Sequence, residues 1–325
     1  MAQVIQANFG WQGRDSASVL LLPLMRVVPV EDGVDLTLKG HTLVLPGVGG
    51  VAHLGELAVD AVVTSFGLHR AAIVQSRHVL PVAMASAWEL RSQEAGRLAL
   101  TTAAELYQSD SAPGLTVLQL RSLVADGCRR AFAKEIWSWA CAAGITQILL
   151  LAPCAAFVKV DADFAAATEL RYLHFGADSD KPLADAGISS SILPLGHSLA
   201  NDEDAIAEAG TKDNAVAEDA EPPSTDLRAT QLLLRSSGIA KQLLLEAAEA
   251  LAPEAVKEDS TSEGVQGVLC LMGFSNEGVD FRITEQLTRA ACVVLATKLS
   301  MPPPEIKFPP SWQFQASRPE QYIFG

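Results

Sequence analysis

The stretch HTLVLPGVGGVAHLGELAVDAVVTSF, residues 41–66, decides the fold class. His41 to Val48 is a short apolar run ending in Pro46 and Gly47, the pattern of a strand buried on both faces. From Gly50 the period changes. Val51, Leu54, Ala58, Val62 and Phe66 recur every three to four residues, which predicts an amphipathic helix over 50–66.

The same alternation runs downstream. AAIVQ (71–75), LTVLQL (115–120), ITQILLLA (145–152) and VQGVLCLMGF (265–274) read as core strands. Helices are predicted over 126–143, stopped by Gly144, over 238–251, ended by Pro253, and over 284–299. Segment 97–108 suits an antiparallel hairpin, and ELRYLHF (169–175) suits an edge strand. Continuous apolar strands alternating with helices predict an α/β fold, a mainly parallel central sheet sandwiched by helices. The longest uncharged stretch, Ile136–Val158, is broken by Ala143-Gly144 and closed by Pro153; it reads as helix end, turn and buried strand rather than a membrane span. Val19–Met25 is short and contains Pro23, so no secretory signal is expected.

Charge is concentrated. The 325 residues carry a net −14, with 24 Lys and Arg against 38 Asp and Glu. Nine acids and one base lie between Asp202 and Asp226, and four acids and one base between Glu254 and Glu263, which accounts for −11 of the −14. The first segment is expected to be a disordered acidic insertion over 201–226, because it holds too little apolar surface to offset the entropy of ordering. An acidic interaction segment is the sharper reading of the same residues. The rest of the body is near neutral, which argues against a nucleic-acid partner held by a broad basic surface. A mean hydropathy of +0.21 excludes a mainly disordered chain, and with neither a membrane span nor a secretory signal expected the chain is expected to be soluble and intracellular. The domain reading is an extension without ordered structure over 1–27, an α/β domain over 28–300, and a tail over 301–325 with six prolines from Pro302 onward, which is expected to be extended.

Candidate chemistry is sparse. Gly47-Val48-Gly49-Gly50-Val51-Ala52 fits G-x-G-x-x-A, which can present a helix N-terminus to a pyrophosphate. The second strand, however, ends in Gln75-Ser76-Arg77 without the acid that would hold a ribose, and a tight turn packing helix on strand needs the same glycines. Cys154 follows a core strand, where α/β enzymes place catalytic groups, and histidines at 41, 53, 69, 78, 174 and 197 with Asp161 or Asp163 offer a base and an orienter. No spacing ties them together; a buried cysteine acting as a small apolar residue explains Cys154 equally. The five cysteines, at 128, 141, 154, 270 and 292, form no C-x-x-C pair and read as reduced thiols. Trp137 and Trp139 point about 160° apart on one helix, so one packs on the sheet while the other joins it or an interface. The tail ends Tyr322-Ile323-Phe324-Gly325. Two apolar side chains beside a carboxylate suit an anchor for a partner, or a terminus folded back on its own core.

Six segments in order give a resemblance: Gly55-x-Leu57-Ala58-x-Asp60; Leu118-Gln119-Leu120-Arg121-Ser122; Ile136-Trp137-Ser138-Trp139 with the strand after it; Ser237-Gly238-Ile239-Ala240-Lys241; Gly273-Phe274-Ser275-Asn276-Glu277-Gly278; and Pro309-Pro310-Ser311-Trp312. In these the chain resembles the PAC2 family of proteasome assembly chaperones, over about Val28 to Gly325 apart from the acidic segment. The resemblance implies a phosphorylase/hydrolase-type sandwich without an enzymatic site, no cofactor and no metal. It implies a heterodimer with proteasome assembly chaperone 1 that binds proteasome α-subunits and promotes 20S α-ring assembly in cytoplasm and nucleus. It also implies that Ile323, Phe324 and Gly325 stand where the family has a hydrophobic–tyrosine–any signature that enters pockets between α-subunits, with Phe324 in place of the tyrosine. The competing classes are an α/β enzyme using Cys154 or the glycine turn, and a nucleotide-binding module.

Overall fold

A computed structural model describes residues 25–30, 36–85, 100–159, 169–176, 189–190, 234, 236–251, 264–276 and 278–312. The acidic segment 201–226, residues 1–24 and the distal tail, with Ile323, Phe324 and Gly325, lie outside the described residues. In chain order the strands are β1 (Arg26–Pro29), β2 (Thr42–Pro46), β3 (His69–Gln75), β4 (Ala83–Ala85), β5 (Leu100–Thr102), β6 (Ala104–Gln108), β7 (Leu115–Leu120), β8 (Gln147–Ala155), β9 (Leu170–Gly176), β10 (Ser189–Ser190) and β11 (Gly267–Ser275). The helices are α1 (Leu54–Ser65), α2 (Arg129–Ala142), α3 (Ala240–Ala250) and α4 (Phe281–Lys298).

Among the described residues one sheet runs in the order β1-β3-β6-β7-β2-β8-β11-β9-β10, and β4 and β5 pair separately. Its centre, β7-β2-β8-β11, is parallel throughout. The wings differ: β1, β3 and β6 add antiparallel strands on one side, and β9 lies antiparallel to β11 on the other. The 97–108 hairpin and the 169–175 edge strand are therefore both half right. β6 pairs with β7 and β3 instead of with β5. Strand β9 is covered by β10, so it is one place in from the edge.

The apolar runs that look uniform in sequence are divided by the two-residue period of the strand. Leu43, Leu45, Leu118, Leu120, Ile148, Leu150, Cys270 and Met272 point to one layer, closed by Phe132, Ile136 and Trp139 of α2 and Leu243 and Leu244 of α3. Val44, Val117, Leu149, Leu151, Leu269 and Leu271 point to the other, closed by Leu54, Val59 and Val62 of α1 and Ile283, Leu287 and Leu295 of α4. Burying each such side chain contributes about 1.5–3 kcal/mol before entropy is counted.

Local chemistry sets the helix ends. The periodicity from Gly50 does not give one continuous helix: Ala52 and His53 have φ of 61° and 52°, so a 3-10 turn over Val51–His53 precedes α1. α4 begins one turn earlier than periodicity suggests, because Asp280 caps it by accepting from the Ile283 amide at 3.0 Å. Met25 is buried, and the strand after it starts at Arg26, so the ordered body reaches back before Val28. The proline-rich segment is extended but not free: Met301 and Ile306 pack against the α1/α4 layer, and Trp312 is buried in a short 3-10 turn. No helix among the described residues is long and apolar enough to cross a membrane.

Candidate interaction edge

β7, β2, β8 and β11 all end on one edge of the sheet, and β3 ends there too, being two antiparallel steps from β7. In open α/β folds ligands bind just beyond such ends. Here the middle of the edge is occupied by the chain itself. The glycine turn 47–50 after β2 receives the segment Ser236–Ile239: the Val51 amide donates to the Ser236 carbonyl at 3.1 Å, and the Ile239 amide to the Val48 carbonyl at 3.0 Å. The glycines are needed for this contact. A Cβ on Gly47 would lie 2.6 Å from the Ser237 carbonyl oxygen, and one on Gly50 2.4 Å from Pro153. A Cβ on Gly238, at φ +64°, would lie 2.2 Å from the Val48 oxygen. Gly55, two turns on, lies where a Cβ would be 2.3 Å from the Leu151 oxygen. The G-x-G-x-x-A pattern is thus spent on packing backbone against backbone. A carbonyl oxygen stands on an amide that a pyrophosphate would need.

Behind the turn, on the α1 side, lies a cluster that spacing alone did not reveal. Arg121 grips Asp60 with two hydrogen bonds, Nη1 to Oδ2 at 2.7 Å and Nη2 to Oδ1 at 2.6 Å. Gln119 donates to Asp60 and to the Glu56 carbonyl, while the Glu56 carboxylate accepts from the Gly49 amide at 3.3 Å. Beside it Glu105 accepts from Tyr107 at 2.5 Å, Thr101 at 2.8 Å, the Thr102 amide at 2.8 Å and Arg70 at 3.0 Å. Burial raises the Asp60 carboxyl above its ordinary value, opposed by Arg121. For Glu105 burial pushes upward, but its hydrogen bonds from Tyr107, Thr102, Thr101 and Arg70 outweigh it and hold the group low. Asp60 and Glu105 are 2% and 1% exposed and are satisfied by protein partners. The cluster therefore joins α1, β6 and β7 instead of facing a substrate. Two of the six signature segments meet in it, through Asp60 and Gln119 with Arg121. The sequence did carry a hint: an acid inside an apolar helix face and an arginine ending a core strand.

Among the described residues the candidate catalytic groups are not brought together. Cys154 is fully buried in the α2/α3 layer, as is Cys270, whose thiol burial pushes well up. Burial also pushes the Cys292 thiol up to about 12. Such thiols are poor nucleophiles. His41 bonds the Thr116 hydroxyl at 2.9 Å and burial lowers its pKa; His53 bonds Glu56 at 3.4 Å, which raises its own. His69 and His174 are exposed, and His197, Asp161 and Asp163 lie outside the described residues. Two recesses among the described residues bear on this. One of about 340 Å³ lies at the opposite edge, lined by Lys39, Cys141 and Gly144 among others; one of about 40 Å³ lies between Gly49, Leu123 and Arg129. Neither is lined by Cys154 or a histidine. No group of three metal-ligating side chains occurs among the described residues. Trp139 is buried at 8% exposure and Trp137 is half-buried against the same layer, so the first is core and the second its flank.

What the edge does present is apolar. Of the eight large apolar side chains exposed among the described residues, Leu80, Leu123, Phe157 and Val279 follow the ends of β3, β7, β8 and β11. They are held in place. The Leu80 amide donates to the Leu123 carbonyl at 3.1 Å, with Val79 and Val124 buried between them and the core. Phe157 is 79% exposed, yet two residues on Lys159 is tied to Glu169 at 2.6 Å, and Glu169 also accepts from Arg282.

Comparison with known proteins agrees with this architecture. The PAC2 family model matches residues 44–256. The chain is 30% identical over 135 residues to proteasome assembly chaperone 2 of Danio rerio, covering 42% of this chain and 50% of that protein. It is 29% identical over 146 residues to the Xenopus tropicalis protein of the same name, covering 45% and 54%. The chain thus spans about half the length of the curated relatives it matches. In fold it is similar to Pyrococcus furiosus PbaA, an archaeal homologue of proteasome-assembly chaperone, with a TM-score of 0.52 at 14% identity over 91% of this chain and 94% of that one. With a family match that takes in the glycine turn, the Asp60–Arg121 cluster and the Ser236–Ile239 segment that closes the edge, this chain belongs to the PAC2 family.

Proposed function

We propose that the protein is a proteasome assembly chaperone that works as a shaped binding surface and turns over no substrate. The observation that carries this reading is the edge itself: closed at its centre by Ser236–Ile239 and bare at its flanks, where Leu80, Leu123, Phe157 and Val279 are exposed. Exposed apolar side chains on a rigid frame suit protein recognition, since their burial supplies affinity without new ordering of the frame. The family and the names of the relatives point the same way.

In this reading the chain pairs with proteasome assembly chaperone 1, and the pair binds proteasome α-subunits and promotes assembly of the 20S α-ring, in cytoplasm and nucleus. Ile323, Phe324 and Gly325 serve as a C-terminal anchor whose benefit comes through effective concentration. Phe324 lacks the hydroxyl of the family's tyrosine and so holds by shape. Co-purification of the tagged full chain tests the reading: a second α/β chain and proteasome α-subunits are expected in the eluate. Removing Ile323–Gly325 is expected to weaken α-ring binding with no change in thermal unfolding. An eluate lacking both partners, from material that converts a small molecule and loses that activity on Cys154→Ala, would overturn it.

A further inference from the structure

The proline-rich segment does more than link a domain to a tail. α4 delivers the chain to Ser300, which at φ 53° turns it back, with the Met301 amide donating to the Ala296 carbonyl at 2.9 Å. That point lies at the edge of the sheet opposite the apolar one, since α4 starts beyond the end of β11 and runs the length of the layer. The chain then returns. Met301 and Ile306 pack on the α1/α4 core, and the Lys307 amide and carbonyl both bond the Ser65 hydroxyl at the end of α1, at 3.0 and 3.3 Å. Five residues later Trp312 is 7% exposed, its ring 5.0 Å from Phe281, the first residue of α4, and stacked at 5.1 Å and 19° on Phe308. Phe281 stands two residues from the exposed Val279, on the apolar edge.

We propose that Trp312 is a positioning residue: clamped by Phe281 and Phe308, it fixes the departure of residues 313–325 at the apolar edge, so that this segment and Leu123, Phe157 and Val279 reach one and the same partner. The inference rests on the reading of the protein as an α-ring binder with a C-terminal anchor. With the clamp closed, 13 residues of the sequence follow the last fixed point; with it open, 18 residues follow Lys307, which Ser65 still holds. Effective concentration falls with about the −3/2 power of tether length, which gives a loss of about 1.6-fold. Moving the tether's origin back to the far end of α1 adds to this, because a helix of 12 residues is about 18 Å long. The expected loss is about two- to fivefold.

The test is Trp312→Ala in the full chain and in a chain lacking 313–325, each co-purified with its partner chaperone and titrated with purified 20S α-rings. A two- to fivefold weakening in the full chain, absent from the shortened one and restored by Trp312→Phe, supports the proposal. An equal weakening in both chains overturns it, since Trp312 would then act on the body alone. Phe281→Leu repeats the comparison with the tryptophan intact, should the alanine variant unfold. A measurement free of any α-ring reads the clamp directly: energy transfer between encoded fluorophores at Val279 and Ser317. The transfer is expected to fall in Trp312→Ala, and an unchanged value overturns the clamp whatever the partner proves to be. If the clamp responds but deletion of 313–325 leaves α-ring affinity unchanged, the shared-partner inference falls together with the anchor, and the cause lies in the functional reading.

Discussion

The centre and the flanks of the sheet's edge are built from similar material and do opposite things. At the centre, Gly47, Gly50 and Gly238 let two backbone segments pack directly on each other, with the Val51 and Ile239 amides set against the chain's own carbonyls and the Gly49 amide against the Glu56 carboxylate. At the flanks, Leu80, Leu123, Phe157 and Val279 follow strand ends of the same kind, yet nothing among the described residues covers them. An α/β enzyme keeps the centre open and uses the flanks as walls. This chain reverses that arrangement, and the proposed function as a recognition surface rests on the reversal.

The comparison breaks most severely at the centre. Gly238→Ala is expected to cost more than about 3 kcal/mol of stability, because the left-handed conformation alone costs an L-residue about 1–2 kcal/mol and the new Cβ would overlap the Val48 and Gly47 oxygens. Gly67 supplies the control: it has a similar φ of +61° but nothing within 4 Å of an added Cβ, so Gly67→Ala should cost only about 1 kcal/mol. Chemical denaturation of the two variants checks this. Equal losses would mean that the close approach at the turn contributes nothing beyond backbone strain.

Much of this centre was legible in the sequence. The strand, glycine turn and helix over 41–66 follow from where apolar residues recur, and the packing role of the glycines stood beside the phosphate-binding one from the start. The partner of those glycines was not legible, because Ser236–Ile239 lies almost 190 residues away and only topology brings it back. The same holds for Asp60 and Arg121, 61 residues apart. The antiparallel wings were read only in part because the outer strands are half-buried and their apolar pattern is weak; β3 is the example, with His69, Arg70 and Gln75 exposed. Phe157 misleads in the other direction, since in AAFV it looks like core.

A smaller effect sharpens the account of what lies beneath the edge. The Glu105 carboxyl is held below its ordinary value by its hydrogen bonds, against the opposing pull of burial. A depressed carboxyl contributes stability that is present above the ordinary value of 4.5 and is lost as pH falls through the lower folded value. Tyr107→Phe removes one of those donors and should cost about 1.5–3 kcal/mol at pH 7. The difference from the unaltered protein should shrink as pH falls below the ordinary value of 4.5 and through the depressed folded value, where Glu105 protonates in both. Thermal unfolding across that range reads it; a cost independent of pH would mean that Tyr107 acts through its ring packing alone.

The smallest effect on stability is expected at the flanks, and it is the one on which the functional reading depends. Leu123 and Phe157 are 51% and 79% exposed, so replacing both by aspartate removes little buried area and should change unfolding free energy by no more than about 0.5 kcal/mol. Single exposed apolar residues are ordinary on any surface. Four that follow four strand ends on one edge, two of them held by the backbone pairing of Leu80 with Leu123 and a third beside the Lys159–Glu169–Arg282 bridge, form a fixed array. Two buried carboxylates placed into such an array would each cost several kcal/mol of binding while leaving the free protein intact. The double variant should therefore fold normally and lose at least tenfold in affinity for its co-purified partners. If it instead unfolds, the flanks belong to the core, and the contrast between a closed centre and bare flanks loses its meaning. If it folds and binds as before, recognition lies on another face of the sandwich, and the apolar edge must be buried by something other than those partners.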